Sequence, residues 1–134
     1  MSTQPTLLLI ASDLQLRYLI NRYATRSGCR VINTSTIDGA VAHILHDPPS
    51  MVLLHVMSQY DGWAMLRRLK AEQSLPGIPI TIIAAIVDEA RARAEGAAHW
   101  LWQPVMYSDF LAAIASTTGP ATSTEAYGSR ADLG

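Results

Sequence analysis

The sequence contains one cysteine and one phenylalanine in 134 residues, and only 16% of it is charged. A single cysteine, Cys29, excludes an internal disulfide and suits a reducing compartment. Only Arg30 frames Cys29 with positive charge, so nothing marks it as a reactive thiol. The formal net charge is -1, and the Lys and Arg residues between Arg17 and Arg93 are dispersed. That gives no electrostatic footprint for nucleic acid or an anionic membrane. Long hydrophobic runs are missing too. The opening MSTQPTLLLIASD is too short and lacks the basic lead of a secretory signal, so the expected location is the cytoplasm. No G-x-G-x-x-G or G-x-x-x-x-G-K loop is present to cradle phosphates. Ser12 has no evident His and Asp companions, so hydrolase chemistry is unsupported.

What is present is a rhythm. Short apolar runs alternate with segments of helical period. Leu7 to Ala11 reads as a strand covered on both faces. Asp13 can cap a helix whose stripe is Leu16, Leu19, Ile20, Tyr23 and Ala24, with Gly28 ending it. Arg30 to Asn33 is a second strand. Ser35 or Thr36 caps a helix bearing Ile37, Ala40, Val41, Ile44 and Leu45, stopped by Asp47-Pro48-Pro49. Met51 to Met57 is the third strand, Ser58 to Gly62 a loop, and Asp61 the expected cap of a helix carrying Trp63, Leu66 and Leu69. Pro76-Gly77 breaks the chain before a fourth strand, Ile78 to Ala85. Asp88 opens an Ala- and Arg-rich helix ending near Gly96. Ala98 to Trp102 is the fifth strand, and Ser108 or Asp109 the expected cap of a helix with Phe110, Leu111 and Ile114. Strict alternation of this kind implies an α/β fold with a parallel sheet and helices on both faces. From Ser116 the composition turns to Ser, Thr, Gly and Ala. The expected division is a domain over 5–117 and a flexible tail or linker over 118–134.

The stretch VLLHVMSQYDGWAMLRRLK, Val52 to Lys70, resembles the third strand, loop and third helix of the response-regulator receiver domains of bacterial two-component systems. SDLQLRYLI, IPITIIAA and EGAAHWLWQPV fit the same family in order and spacing. The resemblance covers about residues 5 to 117. It implies a CheY-like, flavodoxin-like (βα)5 three-layer sandwich with parallel strand order 2-1-3-4-5.

In that family, an acidic pair after the first strand and an Asp ending the third hold Mg2+, and the latter Asp takes the phosphoryl group. A Thr or Ser after the fourth strand and a Lys before a cis-Pro contact its oxygens, neutralising transferred charge. Carried over by the resemblance, the acidic pair falls on Ala11 and Ser12, with Asp13 adjacent and better suited to capping. The nucleophile position falls on His55, the hydroxyl on Ala84 and the lysine on Gln103, while Pro104 is retained. Gly62 lies seven residues beyond His55, one fewer than the family spacing, and the usual Pro is missing. The implied site is therefore a degenerate phosphoacceptor pocket of Ala11, Ser12, Asp13, His55, Ala84, Gln103 and Pro104. No Mg2+ site is expected, nor any other metal, cofactor or catalytic residue.

His55 reads first as a histidine filling that pocket and hydrogen-bonding locally, ahead of a phosphohistidine or a metal ligand. His43 and His46, three apart at a helix end, have no further ligands clustered with them. Trp100 and Trp102 share one side of the fifth strand. Trp100 matches the family's aromatic switch position, and the pair reads equally as packing or as interface. With Tyr107 nearby, and Arg91 and Arg93 as a polar rim, they mark the face of the fourth helix, fifth strand and fifth helix as the candidate contact surface. The expected function is a non-enzymatic, phosphorylation-independent signalling module that binds a signalling protein or output domain, with a homodimer through that face as one form. The alternative is a small-molecule sensor or degenerate enzyme using the crevice at the strands' carboxyl ends.

Overall fold

A computed structural model describes residues 4–57, 59–72 and 77–118; at positions 59–61 and 117–118 only the backbone is described. Ser58, Pro76 and the expected tail beyond position 118 lie outside the described residues. The elements are β1 (Thr6–Ile10), α1 (Leu14–Ser27), β2 (Arg30–Thr34), α2 (Ile37–His46), β3 (Met51–His55), α3 (Gln59–Ala71), β4 (Ile80–Ala84), α4 (Glu89–Ala94), β5 (His99–Trp102) and α5 (Tyr107–Thr118). All adjacent strands pair in parallel, in the order β2-β1-β3-β4-β5. This is the flavodoxin-like architecture expected from the sequence.

The apolar runs form strands because both sheet faces are covered, so each face takes alternate residues. Leu8, Ile10, Val52, Leu54, Ile80 and Ile82 join Ala40, Ile44, Trp63, Leu66, Leu69 and Ala92 under α2, α3 and α4. Leu7, Leu9, Met51, Leu53, Ile83 and Leu101 join Leu16, Ile20, Ala24, Phe110 and Ala113 under α1 and α5.

Capping signals set most helix starts. Asp13 accepts from the Leu16 amide, Thr36 from that of Gly39 and Asp88 from that of Arg91. Gly28 takes the left-handed conformation at φ 79° that closes α1. Two expected caps fail. α3 starts at Gln59, so Asp61 lies inside its first turn, and α5 starts at Tyr107, ahead of Ser108 and Asp109. The loop expected after β3 gives up Gln59 to Gly62 to the helix, and at α5 the Met106 carbonyl already accepts from the Phe110 amide. Strands β4 and β5 are shorter than their apolar runs, because Ile78, Ala85 and Ala98 fall outside the ladder. Leu45 and Leu111, assigned to buried stripes from periodicity, are exposed. α5 continues through Ser116, where a change to tail composition begins.

Gly62 is required by close packing. A Cβ there would overlap the Val56 side chain at Cγ1 and Cγ2. Ala normally stabilises a helix interior by about 1 kcal/mol over Gly. Here we expect Gly62→Ala to destabilise by about 1–3 kcal/mol through overpacking, read as a lower urea midpoint. Gly62→Ala combined with Val56→Ala is expected to recover part of that loss. A Gly62→Ala protein as stable as wild type would contradict this packing.

Candidate functional site

The strands' carboxyl ends open where the chain reverses direction across the sheet, between β1 and β3. Crevices of this fold take ligands at that point. Backbone hydrogen bonds beyond the strand ends hold the site's residues in place. The Ala11 amide donates to the Thr34 carbonyl at 2.9 Å, the Val56 amide to that of Ile83 at 2.8 Å, and the Gln103 amide to that of Ala84 at 2.8 Å. The Gln103-Pro104 peptide is cis, as the sequence led us to expect.

Ala11, His55 and Ala84 are buried at this mouth. The His55 Nε2 lies 3.2 Å from the Gln103 Oε1. The Gln103 Oε1 only accepts, so in this pairing His55 Nε2 is the donor. The two side chains that the sequence resemblance matches to the nucleophile and lysine positions therefore pair with each other. Asp13 Oδ1 is committed to the α1 N-cap at 3.1 Å from the Leu16 amide. A cavity of about 180 Å3 lies between β1, β3 and α3, lined by Ile10, Ala11, Ser12, Ser35, His55, Met57, Gly62 and Met65. Gln103 and Pro104 line a neighbouring crevice of about 170 Å3 with Asp13, Gln15, Leu16, Leu19 and Val105. The first cavity has no carboxylate in its lining, and no cluster of three His, Cys, Asp or Glu residues forms among the described residues. These residues do not fit a hard divalent cation, which takes oxygen ligands, mostly carboxylates.

The second candidate region is assembled only in part. Arg93 lies over the Trp100 ring at 5.4 Å, and Arg91 over that of Trp63 at 5.2 Å. Trp100 is partly buried against the core, whereas Trp102 is 54% exposed. Tyr107 departs from the expected cluster. It stacks at 5.2 Å from Tyr23, and Arg26 covers its ring at 4.1 Å, which places it in the seam between α1 and α5. Aromatic packing with α1 has outcompeted surface display there.

Several side chains that matter carry no sequence signal. Arg17 Nε donates to the Ala11 carbonyl at 2.6 Å, tying α1 to the mouth. Arg67 grips Glu95 through two hydrogen bonds, 3.0 and 2.6 Å long, and Arg91 adds a third at 3.4 Å. The Arg67 guanidinium holds the Glu95 carboxyl below the usual carboxylate range. His99 and Ser116 meet at 2.8 Å, joining β5 to the last turns of α5. The Ser116 hydroxyl also reaches the Ala113 carbonyl, so it donates there and accepts from His99 Nε2. Burial pushes the His99 imidazole pKa down, favouring that neutral donor form.

No protein-family model matches the chain. Among curated proteins it is similar to the transcriptional regulatory protein GltR of Pseudomonas aeruginosa, 28% identical over 127 residues that make up 92% of this chain and 52% of that protein. The chain thus spans about half the length of that relative. Among solved structures, chemotaxis protein CheY4 of Vibrio cholerae superposes with a TM-score of 0.76 at 14% identity, covering 86% of this chain and 99% of that one. A two-component response regulator from Clostridium difficile gives 0.72 at 18%, covering 85% and 95%. The N-terminal domain of a response regulator receiver protein from Methanoculleus marisnigri gives 0.66 at 21%, covering 88% and 99%. The fold is thus CheY-like.

The His55–Gln103 pair makes a measurable claim. Gln103→Leu leaves a buried N–H without its acceptor, and we expect a cost of about 1–3 kcal/mol. Removing both groups, as His55→Leu with Gln103→Leu, is expected to cost less than the sum of the single changes, by about 1 kcal/mol of coupling in urea unfolding. Additive single effects would mean that the two side chains do not interact.

Proposed function

We propose that this chain is a pseudo-receiver: a receiver-like module of two-component-type signalling, lacking the phosphoacceptor Asp, that acts through protein contacts without phosphoryl transfer. The observation that carries this reading is the His55–Gln103 hydrogen bond at the mouth of the sheet, made with no carboxylate. Phosphoryl transfer to a receiver needs a carboxylate nucleophile, a metal held by oxygen ligands and a cation for the transferred charge. His55 stands at the nucleophile position and an uncharged amide at the cation position. Asp13, the remaining acid beside the pair's place, caps a helix. The module is read as non-enzymatic and cytoplasmic; no helix among the described residues is long and apolar enough to cross a membrane.

The contact surface is read as α4-β5-α5. β5 is the edge strand of the sheet, and Trp102, Met106, Ile86 and Leu111 lie exposed on or beside these elements. Apolar exposure of this kind along an edge suits a partner surface, either a signalling protein, an output domain or a second copy. Trp102 is the natural anchor, because Trp100 is engaged by Arg93 and the core. The cavity of about 180 Å3 falls below the roughly 300–1,000 Å3 of small-molecule sites, so it favours the contact reading over a sensor of drug-sized ligands.

Two experiments test the reading. Incubation of the full chain with Mg2+ and acetyl phosphate is expected to leave its intact mass unchanged; a stable phosphoryl adduct would sink the proposal. Sedimentation velocity over a wide concentration range is expected to show self-association, weakened about tenfold or more by Trp102→Ala. Trp100→Ala is expected to act mainly on stability. A chain that stays monomeric throughout, or a dimer indifferent to Trp102→Ala, would remove the homodimer from this account.

A further inference from the structure

The cavity at the mouth gathers an unusual donor set. His55, Met57 and Met65 line it together, along with the hydroxyl-bearing Ser12 and Ser35. The cavity presents one imidazole and two thioethers. Soft sulfur ligands combined with imidazole select Cu(I) over hard divalent cations, which the absence of carboxylates in the lining also disfavours.

The orientation of the histidine supports this chemistry. A metal-bound histidine commonly donates its other ring N–H to an oxygen acceptor, which fixes the tautomer and raises the basicity of the ligating nitrogen. His55 has the geometry for that arrangement: Nε2 lies 3.2 Å from the Gln103 Oε1, which leaves Nδ1 as the ring nitrogen outside that hydrogen bond. Packing accounts for Met65, which rests partly buried against the core. It does not account for Met57, which is 77% exposed at the edge of the same cavity. Three rotatable bonds allow a methionine to swing its sulfur inward.

From these observations we propose that the mouth of the sheet is a Cu(I) site formed by His55 Nδ1 and the sulfur atoms of Met57 and Met65, with Gln103 as the positioning residue that orients His55. The ion binds as Cu(I) and leaves as Cu(I). The site does not depend on the pseudo-receiver reading, and each stands or falls separately.

The test uses the full chain carrying Cys29→Ala, since a thiol would bind Cu(I) on its own. Under anaerobic conditions with ascorbate, Cu(I) is supplied as its bicinchoninate complex and the competition is followed by absorbance. We expect one equivalent to transfer to the protein. The volume-conserving pair Met57→Leu with Met65→Leu keeps the fold and is expected to lose that equivalent. Gln103→Leu is expected to weaken binding about 10–100-fold, the usual effect of losing an outer partner. His43→Asn with His46→Asn, on α2, is expected to change nothing. In methyl-labelled protein titrated with Ag(I), the Met57 and Met65 methyl signals should shift while Met51 and Met106 stay in place. No transfer of Cu(I) to the Cys29→Ala chain, equal uptake by the double-leucine variant, or uptake abolished by the α2 substitutions would each overturn the proposal.

Discussion

The mouth of this sheet is organised by a hydrogen bond between the side chains of His55 and Gln103. Both are fixed from behind by backbone bonds that extend the ladder, Val56 to Ile83 and Gln103 to Ala84. A carboxylate and an ammonium at the same two places would have to be desolvated together. That arrangement holds only with further hydrogen bonds or a metal to satisfy what is left. The His55–Gln103 pair joins the two positions by a direct hydrogen bond. Ala11 and Ala84 can then be buried beside it at little cost, and the crevice closes to a cavity of about 180 Å3.

A second consequence concerns motion. α4 is only six residues long, Glu89–Ala94, too short to be stable by its own propensity. Its position is supplied from outside. Asp88 caps it, Ala92 is fully buried, and the Glu95 that follows it is held by Arg67 of α3. Arg91 and Arg93 lie over Trp63 and Trp100, on either side of the helix. Single exposed ion pairs contribute little, and cation-π contacts at exposed sites about 0.5–1 kcal/mol each. Several of them on six residues favour one position of the helix. A switch acting through this face requires a ligand or partner that binds a second arrangement better.

The fold was largely legible because its signals are redundant. LLLI, MVLLH and ITIIA cannot alternate with solvent, so they had to be strands covered on both sides, and Asp13, Thr36, Asp88 and Gly28 mark helix ends by their own chemistry. The caps at Asp61 and Ser108 or Asp109 misled because propensity is local, while the actual starts depend on how the preceding loop leaves the sheet. The places of the candidate positions in the fold were legible, since each falls at or just beyond a strand end. The geometry of the site was not. His55 and Gln103 are 48 residues apart, and only tertiary pairing of β3, β4 and β5 brings them together. The same holds for Arg67 with Glu95 and for His99 with Ser116. Tyr107 shows the limit most clearly: nearness in sequence to Trp102 did not put it on the same surface, because the ring of Tyr23 offered a better-packed neighbour.

The register of the sheet separates the residues of the mouth from those that hold the fold together. His55 lies opposite Ile83, and Ala84 opposite Trp102, at the last rungs of the ladder. The apolar rungs below them, Val52 to Ile80 and Leu54 to Ile82, pack into the core under α2, α3 and α4. Burial at about 25 cal/mol per Å2 of apolar surface is supplied by those lower rungs. The mouth contributes mainly polar groups whose net contribution is small once each is satisfied. Residues there can therefore change in chemical character together, provided each buried polar atom keeps a partner. His55 and Gln103 meet that condition by pairing with each other, which ties the residue at one position to the residue at the other.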